Sequence, residues 1–290
     1  MYPYIHVFGL TLPTFGLMMS LGMLCAFVLL FKTRKYIDLS EDDLLSAVIL
    51  AIVCGMLGSK ILYWITEVRS IIANPASFKY MILSGLVFYG SLIGGLIGLM
   101  IFCRRKRKSF LALADLFMPS LVLGQAFGRI GCFHAGCCYG KETSGWLSVT
   151  FPEGCVAPAG VPLVPTQLLE SAFLFILTVV LVWMLSKKLK SGTVLGWYLI
   201  LYGVWRFIIE FYRNDERGAV GALSTSQFIA IFAVLIGIVL LILIRKGVIV
   251  SRETSDAAPE NDEVETETVS ESGASDTGVK EESESESNKS

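Results

Sequence analysis

Two arginines stand where charge is expensive. Arg129, in GQAFGRIGCFHAGCCYG, and Arg206, in LYGVWRFIIEFYRND, fall inside long apolar runs. A guanidinium in hydrocarbon costs at least about 2.5–3.5 kcal/mol, so an ionised group within a span is a functional-site hypothesis by default. Arginine stays protonated and presents a planar fork of donors that matches phosphate oxygens two at a time. Tyr202, Arg206 and Glu210 recur at i, i+4 and i+8, which places them on one helix face. Both arginines lie toward the same ends of their spans, so two guanidiniums at one depth are expected to hold an anion such as a phosphate. Neutralisation of Arg206 by Glu210 is the structural alternative and is compatible with such a site. A third cation, Lys60, could snorkel outward through KILYWITE.

A second group of reactive side chains follows Arg129. Cys132, Cys137, Cys138 and Cys155 fall within 24 residues, with His134 among them. The spacing C-x4-C-C-x16-C is not that of paired CxxC zinc knuckles, so no metal site is expected from it. In an oxidising exterior the expected use is a disulfide from Cys137 or Cys138 to Cys155. Free packing thiols, or metal or redox chemistry, are the alternatives. His134 has the ordinary pKa of a general base and sits five residues after Arg129. Tyr89 carries a phenol, a poor base at neutral pH, but could orient a phosphate oxygen. Asp115 is expected to pair with the basic run 104–108.

These residues need elements that cross a membrane. Of 290 residues, 54% are hydrophobic and 17% charged, with mean hydropathy +0.65; soluble domains have about 25% charged residues. Seven apolar stretches are long enough to cross about 30 Å of hydrocarbon. They lie near 12–31, 44–66, 81–102, 111–133, 166–186, 194–212 and 226–244. The connections after the first, third, fifth and seventh carry 14 basic residues, among them the run 104–108, Lys187, Lys188 and Arg245. The opposite loops carry five: Arg69, Lys79, Lys141, Arg213 and Arg217. The positive-inside rule then predicts an all-α integral membrane protein, N-terminus outside and C-terminus cytoplasmic. The 134–165 stretch, rich in Gly and Pro, reads as an ordered extracytoplasmic loop or short strands rather than a helix.

The net charge of −1 conceals two unlike parts. Residues 251–290 hold 13 of the 25 acidic residues and three basic ones, leaving 21 basic and 12 acidic residues in 1–250. The expected organisation is a seven-span domain over 1–250 and a disordered acidic cytoplasmic tail over 251–290. No basic face interleaved with aromatics exists outside the loops, which argues against nucleic acid as a partner. No internal repeat is evident, which argues against a transporter built from inverted halves.

SLIGGLIG, RRKRKSFLALADLFMPS, GRIGCFHAGCCYG, PTQLLE and YGVWRFIIEFYR, in this order and spacing, resemble the prolipoprotein diacylglyceryl transferase family across nearly the whole body. The resemblance implies a bacterial inner-membrane enzyme with its active site toward the outer leaflet. It would move diacylglycerol from phosphatidylglycerol to the lipobox cysteine of a preprolipoprotein. A thioether would form and glycerol 1-phosphate would leave, with no metal or soluble cofactor. Residue by residue, Arg129 matches the signature arginine that contacts phosphate, and Gly140 the glycine closing that signature. Arg206 matches the second essential arginine, with Tyr202 and Glu210 as its neighbours.

The chain departs from the family pattern at four positions. Cys132 stands for an asparagine, Cys137 for a glutamate, Tyr89 for the histidine proposed as base, and Phe15 for a tyrosine. Two alternatives follow: thiol redox or metal handling through the four cysteines, or lipid binding or transport on the same fold.

Overall fold

The computed structural model describes residues 3–7, 10–73, 85–214, 219–220 and 223–248. Among them, seven helices are long and apolar enough to cross a membrane. These are α1 (Thr14–Thr33), α2 (Glu41–Thr66), α4 (Phe88–Lys106), α5 (Phe110–Ala135), α6 (Thr166–Ser186), α7 (Thr193–Ile209) and α8 (Thr225–Arg245); a short α3 (Val68–Ala73) follows α2. Three small antiparallel pairs complete the fold: β1 (Tyr4–Val7) with β2 (Leu10–Pro13), β3 (Val149–Thr150) with β4 (Pro162–Leu163), and β5 (Ala219–Val220) with β6 (Leu223–Ser224). The tail 251–290 lies outside the described residues.

Local chemistry starts and stops these helices. Ser40 and Ser109 accept hydrogen bonds from the backbone N–H groups of Asp43 and Ala112, which the first helical turn leaves without partners. Ser224 and Gln227 form a reciprocal capping box at α8. Glu41, Asp42 and Asp43 occupy the first turn of α2, where the helix dipole favours negative charge. α5 ends at Gly136, whose φ of 71° reverses the chain out of the helix.

Packing follows the logic of a lipid solvent, in which close approach rather than apolar burial joins helices. α2 and α4 touch through glycines; a Cβ added at Gly98 would stand 2.7 Å from the Leu50 carbonyl oxygen. α5 and α6 supply the central core, with Leu113, Leu116, Val122, Leu174 and Leu181 almost wholly buried. Met23, Ile49, Met56 and Ile236 are exposed on the outer faces, a surface suited to acyl chains.

Two expectations are corrected. The third span begins at Phe88 rather than 81, because Gly85 (φ 73°) and the extended Val87 precede it. Ser59 holds that entry from α2, donating to the Val87 carbonyl at 3.1 Å and accepting from its N–H at 2.9 Å. Asp115 does not pair with the basic run. Its carboxylate accepts the backbone N–H groups of Gly192 and Leu195, each at 2.7 Å, and so caps the start of α7. From that run, Lys106 pairs instead with Asp43 at 2.9 Å.

Candidate active site

The far ends of α5, α6 and α7 converge on a buried chain of five charges. Arg129, near the end of α5, pairs with Glu170 of α6 at 3.0 Å. The other Glu170 oxygen faces Arg213 at 3.7 Å, and Arg213 Nε lies 3.9 Å from Glu210. Glu210 in turn pairs with Arg206 at 2.9 Å, across one turn at the end of α7. Positive and negative charges alternate along the chain, and three arginines against two glutamates leave a net charge of +1. Uncompensated, such groups could not be buried; alternation makes the burial tolerable.

The three arginines are not equivalent. Arg206 is closed in, with Nη1 on Glu210 and Nη2 donating to Ser226 of α8 at 2.8 Å. The Arg213 side chain is 2% exposed, whereas that of Arg129 is 19% exposed. The Tyr202 hydroxyl lies beside Arg129, and the Tyr202 ring stacks on Tyr198 at 5.6 Å. Arg129 is thus the guanidinium best placed to receive an anion, with Tyr202 as a second hydrogen-bonding group.

The loop beyond α5 is clamped to this cluster. Thr166 Oγ1 donates to the Cys138 carbonyl and Gln167 Nε2 to the Cys137 carbonyl, both at 2.8 Å, from the fully buried first turn of α6. Gly140 donates its N–H to Val164, and Lys141 donates to Tyr212. A Cβ at Gly140 would meet the Val164 and Tyr212 carbonyl oxygens at 2.6 and 2.8 Å. Only glycine permits that approach, and it brings the loop against Arg213. Within the loop the Cys137 thiol donates to the Cys132 carbonyl at 3.7 Å, and the neighbouring Cys132 and Cys137 thiols together with the Arg213 guanidinium lower the Cys138 pKa.

The sequence-predicted residues divide accordingly. Arg129, Tyr202, Arg206 and Glu210 join one network, and Gly140 supports it. His134 does not: its ring stands edge-on to Phe133 at 5.9 Å, beside the small apolar cluster of Phe151, Ala157 and Leu163. Tyr89 is half exposed on the first turn of α4, edge-on to Phe88, and does not reach the arginines. The expected disulfide is also corrected, because neither Cys137 nor Cys138 is cross-linked to Cys155. Cys137 and Cys138 turn toward Cys132, while Cys155 packs against Gly136 and the Phe151 cluster.

Sequence reasoning missed Glu170 and Arg213. Arg213 reads as an ordinary loop cation when charges are counted for topology. Its signal is the Glu210-x2-Arg213 spacing, one turn along the same chain. Glu170 is a carboxylate within the fifth apolar stretch, in PTQLLESAF, as anomalous there as either arginine.

Fold and site together define a multi-pass membrane protein built around a buried, net positive cluster that can hold an anion. The chain belongs to the prolipoprotein diacylglyceryl transferase family, whose model matches residues 3–243. It is 45% identical over 241 residues to phosphatidylglycerol--prolipoprotein diacylglyceryl transferase 2 of Clostridium perfringens, covering 83% of this chain and 94% of that protein. A transferase of Clostridium tetani is 45% identical over 80% of this chain and 93% of its own length. One of Finegoldia magna is 32% identical over 85% and 97%. The protein is therefore a membrane transferase of this family, and the reading as a transferase prevails over redox and transport on the same fold.

Proposed function

We propose that this enzyme transfers diacylglycerol from phosphatidylglycerol to the lipobox cysteine of a preprolipoprotein. The alternating ion chain with Arg129 at its open end is the observation that carries the reading, and the names of the relatives supply the two substrate classes.

In this reaction a cysteine thiolate attacks the glyceryl C3 carbon of the lipid. The C–S bond forms, the C–O bond to phosphate breaks, and the electron pair leaves on the phosphate oxygen as glycerol 1-phosphate. The phosphate gains negative charge in the transition state, and a preorganised cation there gives an interaction that strengthens as the bond breaks. Arg129 and Tyr202 receive the phosphate. Arg206 and Arg213, held by Glu210 and Glu170, supply positive potential and fix the carboxylate on which Arg129 rests. Glu170 can yield Arg129 to the lipid without being left bare, because Arg213 remains its partner.

The excess of basic residues in the loops after the odd-numbered spans supports an N-terminus outside, the site at the outer leaflet of the inner membrane, and the acidic tail in the cytoplasm. Mixing the purified full chain with phosphatidylglycerol and a one-cysteine lipobox peptide tests the activity. A diacylglyceryl-peptide adduct in the mass spectrum is expected; folded protein that forms none would overturn the reading.

A further inference from the structure

One feature of the site is unused by the ion chain. Cys132, on the last turn of α5, meets Cys137 and Cys138, and their three sulfur atoms all lie within 4.8 Å of one another. Linear spacing hides the trio; the reversal at Gly136 (φ 71°) folds the loop back on the helix end. Cys138 itself has a φ of 63°, a conformation that residues with a Cβ adopt reluctantly. Thr166 and Gln167 hold the Cys138 and Cys137 carbonyls there from a buried helix turn. The arrangement is thus over-determined by its neighbours, as a preorganised ligand set must be.

The geometry suits a tetrahedral thiophilic metal. Zinc–sulfur bonds of about 2.3 Å imply sulfur–sulfur separations of about 3.8 Å, within about 1 Å of those present. Three protein ligands leave one position open, the pattern of catalytic rather than structural zinc. All three cysteines are partly exposed. Charge also fits. Three thiolates and a hydroxide on Zn²⁺ carry −2, offset in part by the Arg213 guanidinium beside Cys138.

Position relative to Arg129 gives the cluster a use. Arg129 and Cys132 are i, i+3 on α5, neighbours on one helix face. The chemistry there needs a thiolate, yet His134 and Tyr89 stand apart, and Glu170 and Glu210 are each committed to two arginines.

We propose that Cys132, Cys137 and Cys138 bind one zinc ion whose open fourth position takes the sulfur of the substrate cysteine. A substrate thiol displaces the zinc-bound hydroxide, and its proton leaves with that hydroxide as water. The bound thiolate attacks the glyceryl carbon, the C–O bond breaks toward the phosphate on Arg129, and the thioether, a weak ligand, leaves zinc to be replaced by water. This proposal rests on the transferase reading.

The full chain, purified in detergent under reducing conditions, decides it. One zinc per chain is expected by elemental analysis. Cys132→Ser, Cys137→Ser and Cys138→Ser should each lose at least nine-tenths of it, and Cys155→Ser should keep it. With cobalt in place of zinc, a sulfur-to-cobalt charge-transfer band should appear and intensify on adding the lipobox peptide, but not its Cys→Ser version. Chelation should lower transfer at least a hundredfold, and added zinc should restore it. The proposal is overturned if the chain takes up no zinc, if the chelated protein transfers within twofold of the original rate, if the cobalt band ignores the peptide, or if Cys155→Ser loses zinc as well. Cobalt titration and chelation of the unaltered chain decide the matter even if the serine variants do not fold. If the band of the cobalt-loaded protein answers to the peptide while the zinc-loaded protein forms no adduct, the thiol site is supported and the transferase reading is at fault instead.

Discussion

The two ends of α5 each bury a charge and satisfy it by different means. At one end Asp115 accepts two backbone N–H groups from the start of α7. At the other, Arg129 rests on Glu170, which also faces Arg213, and so on to Glu210 and Arg206. Backbone amides belong to a helix terminus and cannot turn away, so a carboxylate held this way cannot exchange its partners for a new ligand. Side chains in an alternating ion chain can exchange one partner for another with little change in total charge. The first arrangement locks two helices together, and the second can admit a phosphate. Burial of an ionised group is therefore a weak sign of function until its partners are known.

Breaking the shared carboxylate should have the largest effect. Glu170→Ala leaves Arg129 and Arg213 facing each other, and removing one partner of a buried pair costs about 3–5 kcal/mol. Denaturation in detergent should show that loss, together with absent transfer. Arg129→Ala removes the open guanidinium; loss of a transition-state donor lowers turnover by roughly 10²–10³-fold. Single-turnover transfer of the folded variant measures this, and a rate near that of the parent would show that Arg129 does not hold the phosphate. Asp115→Ala should cost about 1–3 kcal/mol of stability through unsatisfied helix-start N–H groups. Its turnover per folded molecule should be unchanged, and a selective loss of turnover would erase the contrast between the two ends. Removal of residues 251–290 should have the smallest effect, leaving the transfer rate within about twofold; a dead truncation would give the tail a role that no described contact supplies.

Much of this protein is legible in a line of residues. Apolar length alone placed six of the seven spans close to their observed ends, because a bilayer demands about 20 apolar residues of any helix that crosses it. The third was set too early, since its start is fixed by the turn at Gly85 and by the clamp on Val87 from Ser59 of a neighbouring helix. The i, i+4, i+8 face of Tyr202, Arg206 and Glu210 was equally readable, being local periodicity. Asp115 shows the limit. Its sequence neighbours are basic, yet its partners lie 77 and 80 positions away, and no local rule finds them.

The sequence by itself determined the spans, the anomalous arginines and the blocks that mark the family, since hydrophobic length, helical period and residue order are one-dimensional properties. Tertiary structure alone decided that Arg213 and Glu170 complete the ion chain, and that Cys137 and Cys138 meet Cys132 rather than Cys155. It also set His134 and Tyr89 apart from the arginines. The reason is the same in each case: which groups share a buried site depends on how helix ends and the turn at Gly136 converge, and that convergence is fixed by packing between elements distant in the chain.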